Sequence, residues 1–120
     1  MTVIWHEQDE SEDATNLTNW QTVMEKSGTV TVDGDFKIDV YCELTGNLTN
    51  RGVAVRVLID DIERRFHGFY PDESDVYQAV SFHGRISISE GAHSIKLQYV
   101  SGHASQTAKI RRKSILLEKH

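Results

Sequence analysis

A chain of 120 residues is long enough for one domain that buries about two thirds of its unfolded surface, and its single cysteine, Cys42, excludes an intrachain disulfide. The net charge of −5 at pH 7 excludes the concentrated basic face of a nucleic-acid binder. No apolar run reaches the roughly 18 residues of a membrane span, and Met-Thr-Val-Ile-Trp-His-Glu lacks the basic and apolar regions of a signal peptide, so no membrane and no export are expected.

The charge is unevenly placed. Residues 1–60 hold 4 Lys/Arg against 11 Asp/Glu, a net −7, while residues 61–120 hold 9 against 7, a net +2. Two halves of opposite sign suit a subunit that meets its neighbours by charge as well as a chain that balances itself.

In chain order, Val3 to Trp5 reads as a short strand. His6 to Asp13 follows with five carboxylates between Glu7 and Asp13, a run that repels itself and is expected as an extended arm or mobile loop. It has neither the glycine nor the ligand spacing of an EF-hand, so no calcium site is assigned to it. The predicted division is an acidic N-terminal arm, or short strand plus loop, over 1–16 and a single domain over 17–120. Thr18 to Lys26 lacks clean alternation and reads as an irregular or bulged strand. Thr29 to Val32, the turn Asp33-Gly34, and Phe36 to Leu44 with five apolar residues in strict alternation predict a β-hairpin. Cys42 lies in phase with Phe36, Ile38, Val40 and Leu44 and is expected to be a small buried hydrophobe, since nothing electropositive surrounds it.

A polar loop spans 45–52. Val53, Val55, Val57 and Ile59 then alternate as far as Asp60-Asp61, a turn or strand edge, and Ile62 to Phe69 carries the basic pair Arg64-Arg65. Residues 71–75 are loop by composition. Val76 to Phe82 is a further strand. Ile86 and Ile88, the turn Glu90-Gly91, and His93, Ile95, Leu97 and Tyr99 predict a second hairpin over Arg85 to Tyr99, whose apolar face needs a covering layer. In the last stretch Ala108 and Ile110 have one parity and Ile115 and Leu117 the other. One extra residue between Arg111 and Ser114, a β-bulge, restores a common inward face. About eight strands, no helical window and turn signals at intervals of roughly 8–12 residues predict an all-β antiparallel sandwich of jelly-roll type.

No catalytic signature stands out. His6, His67, His83, His93, His103 and His120 form neither His-x-His nor His-Glu-x-x-His, and there is no Gly-x-Ser-x-Gly, phosphate loop or paired-carboxylate motif. His93, in phase with Ile95 and Leu97, reads as a hydrogen-bonded strand-face histidine. No enzyme activity, cofactor or metal is expected. Asn16-Leu17-Thr18 and Asn47-Leu48-Thr49 match the glycosylation pattern but read as loop chemistry in a chain without an export signal.

Several pieces together resemble small jelly-roll proteins of tailed-bacteriophage particles, of the cement or head-decoration class, with similar modules in tail fibres. They are Trp20-Gln21-Thr22, Gly34 to Val40 followed by Glu43, Val55 to Asp60, Ser89 to Tyr99, Ala108-Lys109-Ile110 and Ile115-Leu116-Leu117. The resemblance implies a virion protein, made in the host cytoplasm and placed on the capsid surface. It would bind the outside of an assembled head, often as a dimer or trimer, and clamp neighbouring major capsid protein subunits. The class brings no fixed site residues. Physical reasoning selects Val3, Ile4 and Trp5 as apolar anchors, Glu7, Asp9, Glu10, Glu12 and Asp13 as an acidic contact, and Arg64, Arg65, Arg111, Arg112 and Lys113 as complementary cations. The alternative is a carbohydrate- or receptor-binding sandwich of tail-fibre type, with rings from Trp5, Trp20, Tyr41, Tyr70 and Tyr77.

Overall fold

The computed structural model describes residues 2–119, with side chains from Ile4 onward. It contains β1 (Thr2–Asp9), β2 (Asp13–Thr15), β3 (Gln21–Val30), β4 (Gly34–Gly46), β5 (Val53–Ile59), β6 (Ile62–Phe69), β7 (Gln78–Ile88), β8 (Gly91–Ser101) and β9 (Ala108–Lys119). Sheet A runs β1-β9-β4-β7, with β2 also paired to β9, and sheet B runs β3-β8-β5-β6. Every pairing is antiparallel. With β1 and β2 taken as one interrupted strand, eight strands form the two four-stranded sheets of a jelly roll.

The core lies between the sheets and is built by the alternation seen in the sequence. Phe36, Leu44, Val55, Ile95, Leu97, Ile110, Ile115 and Leu117 are completely buried, joined by Cys42 and Ala108. Each large apolar side chain contributes about 1.5–3 kcal/mol before entropy is subtracted. At one end, the buried side chain of Gln106 pins the 47–52 loop: its amide oxygen accepts from Leu48 N at 2.7 Å, and its NH2 donates to the Leu48 and Arg51 carbonyls at 2.9 Å. Asn47, the first residue of a glycosylation pattern, accepts from Thr107 N at 2.8 Å and is part of the same loop cluster.

Both predicted hairpins are corners instead. β7 pairs with β4 along its whole length, whereas β8 lies between β3 and β5, so the turn at Ser89-Glu90 carries the chain from sheet A to sheet B. The 31–33 connection makes the reverse crossing between β3 and β4. Turn chemistry reverses the chain in both cases, and only the location of a covering layer decides whether the next strand pairs in the same sheet. The true tight hairpin joins β5 to β6, where Asp60 (φ 52°) and Asp61 (φ 64°) both take the left-handed conformation of a two-residue loop. The expected bulge in the last strand is present: Tyr41 opposes Ser114 and Glu43 opposes Arg111, leaving two residues of β9 against one of β4, with Arg112 at φ 51°.

Candidate functional site

The acidic run is not an arm. Glu7 and Asp9 belong to β1, and Asp13 begins β2, all on the edge of sheet A. Backbone pairing with β9 and a set of cations from the same chain outweigh the self-repulsion of the run. Glu7 pairs with Lys26 at 3.0 Å. Asp13 receives Lys113 Nζ at 2.6 Å, and Asp9 lies 3.6 Å from the same ammonium. Asp9 also accepts from the Ser11 amide and hydroxyl, which hold its carboxyl below the usual range. Glu10 accepts from Gln8 at 2.8 Å and lies 3.9 Å from Arg112, while Glu12 is exposed in the connection to β2.

The expected apolar anchors also point elsewhere. Trp5 is 7% exposed, with its ring against Gly28, where an added Cβ would sit 3.0 Å from it. One extra residue in β1, Ile4, shifts the register between Val3 and Trp5 and turns the indole into the sandwich. Ile4 packs half-buried on the core, and the Val3 side chain lies outside the described residues.

Lys113, expected on a docking surface, is a correction of the same kind. It lies on the Ile115 side of the β9 bulge and shares the inward phase of Ile115 and Leu117, so its stem is fully buried and its ammonium donates to the Ser11 carbonyl at 2.7 Å as well as to Asp13. Arg111 and Arg112 are occupied by Glu43, at 2.7 and 3.2 Å, and Arg111 stacks 3.8 Å from the Tyr77 ring centroid. The Arg111 contact, outweighing partial burial, lowers the Glu43 carboxyl below its ordinary range. Arg64 and Arg65 are different: both are exposed on β6, and neither forms an ion pair among the described residues.

What the chain leaves without a structural task is the outer face of sheet B near the 47–52 end. Gly68 opposes Ala54, and Ala54 opposes Val100, so the sheet surface there carries only small side chains. With Gly52 and Gly102 this floor lines a shallow cleft of about 440 Å3, walled by Phe69 and Tyr70. Tyr70 is 68% exposed and lies 3.5 Å from where a Gly52 Cβ would be; Phe66, 57% exposed, lies 3.4 Å from where a Gly68 Cβ would be. Trp20 meets Phe66 edge to face, with centroids 6.0 Å apart. A polar row lies alongside. Arg56 stacks 4.4 Å from the Trp20 ring centroid, donates to Gln98 at 2.8 Å and pairs with Glu63 at 3.5 Å, and Gln98 donates to Thr22 at 2.9 Å.

Of the rings expected for a sugar site, this face gathers Trp20 and Tyr70 and adds Phe66. Trp5 is in the core, and Tyr41 and Tyr77 flank the Glu43–Arg111 cluster on sheet A. The sequence signal for the cleft was the spacing Phe66, Gly68, Tyr70, two rings at period two around a glycine. At the opposite end His93 binds Asp60 at 2.6 Å through Nδ1 and the Ser89 carbonyl at 2.6 Å through Nε2. Two oxygen acceptors favour the ring with an N–H on both nitrogens, and Asp60 above all raises its pKa. Among the described residues no group of three or more His, Cys, Asp or Glu is placed to hold a metal ion.

No protein-family model matches the chain, and no curated protein matches its sequence. Solved structures share the fold. A chain from infectious bursal disease virus, Gx strain, superposes with a TM-score of 0.66 at 11% identity, over 97% of this chain and 31% of that one. The EclA C-terminal domain, described as a sugar-binding protein, gives 0.57 at 10% identity over 88% and 77%. The CBM36-1 domain of a multidomain xylanase from the hindgut metagenome of Trinervitermes trinervoides gives 0.52 at 13% identity over 97% and 89%. The chain thus spans about a third of the viral chain and most of the other two domains. At identities this low the superpositions show a shared jelly roll and no more, a fold found both in a viral chain and in a domain described as sugar-binding.

Proposed function

We propose that this chain is a binding module rather than an enzyme. Its work is that of a virion structural protein, a cement or decoration protein that sits on the outside of a phage head and braces contacts between major capsid subunits. The docking face is the outer side of sheet B, not the acidic N-terminal strand. The observation that carries the proposal is the exposed pair Phe66 and Tyr70 around the glycine-floored cleft, apolar area that contributes nothing to the core and is available for a partner. Many copies on a symmetric shell would turn a modest contact into firm attachment, and oligomerisation to a dimer or trimer would do the same.

A second reading is favoured by the same cleft. Two aromatic rings beside a floor of glycine and small apolar side chains, next to the polar row Arg56, Gln98 and Glu63, also suit stacking and hydrogen bonding to a pyranose, as in a receptor- or carbohydrate-binding module. Immunogold electron microscopy with antibody to this chain, on particles purified from the source of the gene, tests the first reading. Dense label over heads is the expected result, and label confined to tails or absent overturns the cement role. In the latter two cases a glycan array probed with the wild type and with Phe66→Ala/Tyr70→Ala decides the second reading, which requires binding that the double variant loses.

A further inference from the structure

We propose that the free edge of β7 receives an extended acidic segment of a partner protein as an added strand of sheet A. This inference holds whichever of the two readings above is correct, since it concerns a different surface.

Sheet edges expose unpaired N–H and C=O groups, and proteins blunt them with bulges, short strands or charges. Three edges here are blunted in that way. β1 carries one extra residue between Val3 and Trp5, β3 one between Thr22 and Met24, and β6 one at Arg64, where Val57 opposes Arg65 and Leu58 opposes Glu63. β7 carries none. Its register with β4 is unbroken from Gly34↔Ile88 to Leu44↔Gln78, so eleven residues present a regular, unpaired edge.

The charge beside that edge is equally unmatched. Arg64, Arg65 and Arg85 make no ion pair among the described residues, although the chain is acidic overall. All three line one slot between β6 and β7, with Ile38, Val57 and Phe82 among its apolar walls. Arg65 reaches across the flank from β6: a Cβ built on Gly84 would lie 2.9 Å from its guanidinium nitrogen, so the glycine makes room for the cation. The slot holds about 110 Å3. A dry cavity of roughly 150 Å3 accommodates benzene, so this one suits a valine- or leucine-sized side chain. Backbone pairing along β7, one aliphatic side chain in the slot and carboxylates on the arginines together describe strand addition by a segment that alternates apolar and acidic residues.

The probe is a fluorescein-labelled, capped ten-residue peptide alternating valine with glutamate, compared with its lysine counterpart and with a version N-methylated at alternate residues. Full-length protein should bind the glutamate peptide and neither control. Affinity should fall as salt rises from about 50 to 500 mM. Arg65→Gln/Arg85→Gln, at two exposed positions, should weaken it about tenfold. Amide exchange should slow in β7 and not in β1, β3 or β6. Equal affinity for the lysine peptide, undiminished binding after N-methylation, protection at another edge, or self-association of the chain through β7 would each overturn the proposal.

Discussion

Where β1 meets β3, acidic residues crowd one flank of the sandwich, and nearly all are answered from within the chain by Lys26, Arg112 and Lys113. Where β6 faces β7, at the opposite flank, three arginines form no ion pair among the described residues, and Arg64 acts only at a distance, on Asp60. The first flank is conspicuous in the sequence and is internal bookkeeping; the second shows in the sequence only as Arg64-Arg65 and is the one with unspent charge. A run of like charge therefore says less about docking than whether each charge already has a partner.

Deleting residues 1–13 breaks that comparison most severely. It removes β1 with Trp5, whose loss alone costs about 3–5 kcal/mol, and should abolish the cooperative urea transition. A truncated chain that unfolds like the wild type would restore the arm and undo the contrast.

Lys113→Ala should cost about 2–4 kcal/mol, because it empties a buried stem and strands Asp13 and Asp9 beside the gap. Arg65→Ala on the other flank should stay within about 0.5 kcal/mol. Equal losses in parallel denaturation curves would mean that Arg65 is as much a part of the fold as Lys113.

Gly28→Ala sharpens the β1 side. The new methyl would meet the Trp5 ring at 3.0 Å and should destabilise by about 1–3 kcal/mol, an effect that vanishes in a Trp5→Leu background. The same penalty with leucine in place would show that the indole is not what the glycine accommodates.

The smallest effect is a pH dependence at the β5–β6 turn, which belongs to neither flank and serves as the reference. The folded-state pKa of His93 is raised, so its contribution is fully present below the unfolded value near 6.5 and is lost as pH rises through the folded value. Asp60 is desolvated, but the His93 and Ser94 N–H bonds outweigh this and lower its pKa; its contribution is therefore present above about 3.9 and lost as pH falls. His93→Gln should flatten the alkaline limb of stability against pH. An unchanged limb would place its origin elsewhere.

Strand positions were legible in the sequence because each strand buries one face, and period-two alternation records that directly. The bulge in β9 was legible for the same reason: Ile110 and Ile115 have opposite parity and must share an interior. Partner choice was not legible, since Asp33-Gly34 and Glu90-Gly91 turn the chain without stating which sheet lies beyond. Gly91, at φ 129°, shows the same glycine requirement at a corner that a hairpin would show. Nor was Trp5 legible as an interior residue, because the extra residue in β1 shifts the register between Val3 and Trp5. Lys113 shares the parity of Ile115 and Leu117, but an ammonium at that position reads as solvent-facing until the fold brings Asp13 and the Ser11 carbonyl to it. The sheet-B cleft was only partly legible for another reason: its rings come from before β3, from the middle of β6 and from just beyond β6, and only the pairing of the strands of sheet B makes Trp20 a neighbour of Phe66.

Cys42 sits on the inner face of β4, completely buried, and that burial pushes its thiol up to about 12. As the chain's one cysteine, it leaves the folded exterior inert to maleimides near neutral pH. A cysteine installed at exposed Ser81 would then be the single reactive handle, ready to carry a dye beside the β7 edge without first removing the native thiol. In the unaltered chain the same thiol becomes a clock: its slow labelling counts the moments when sheet A opens.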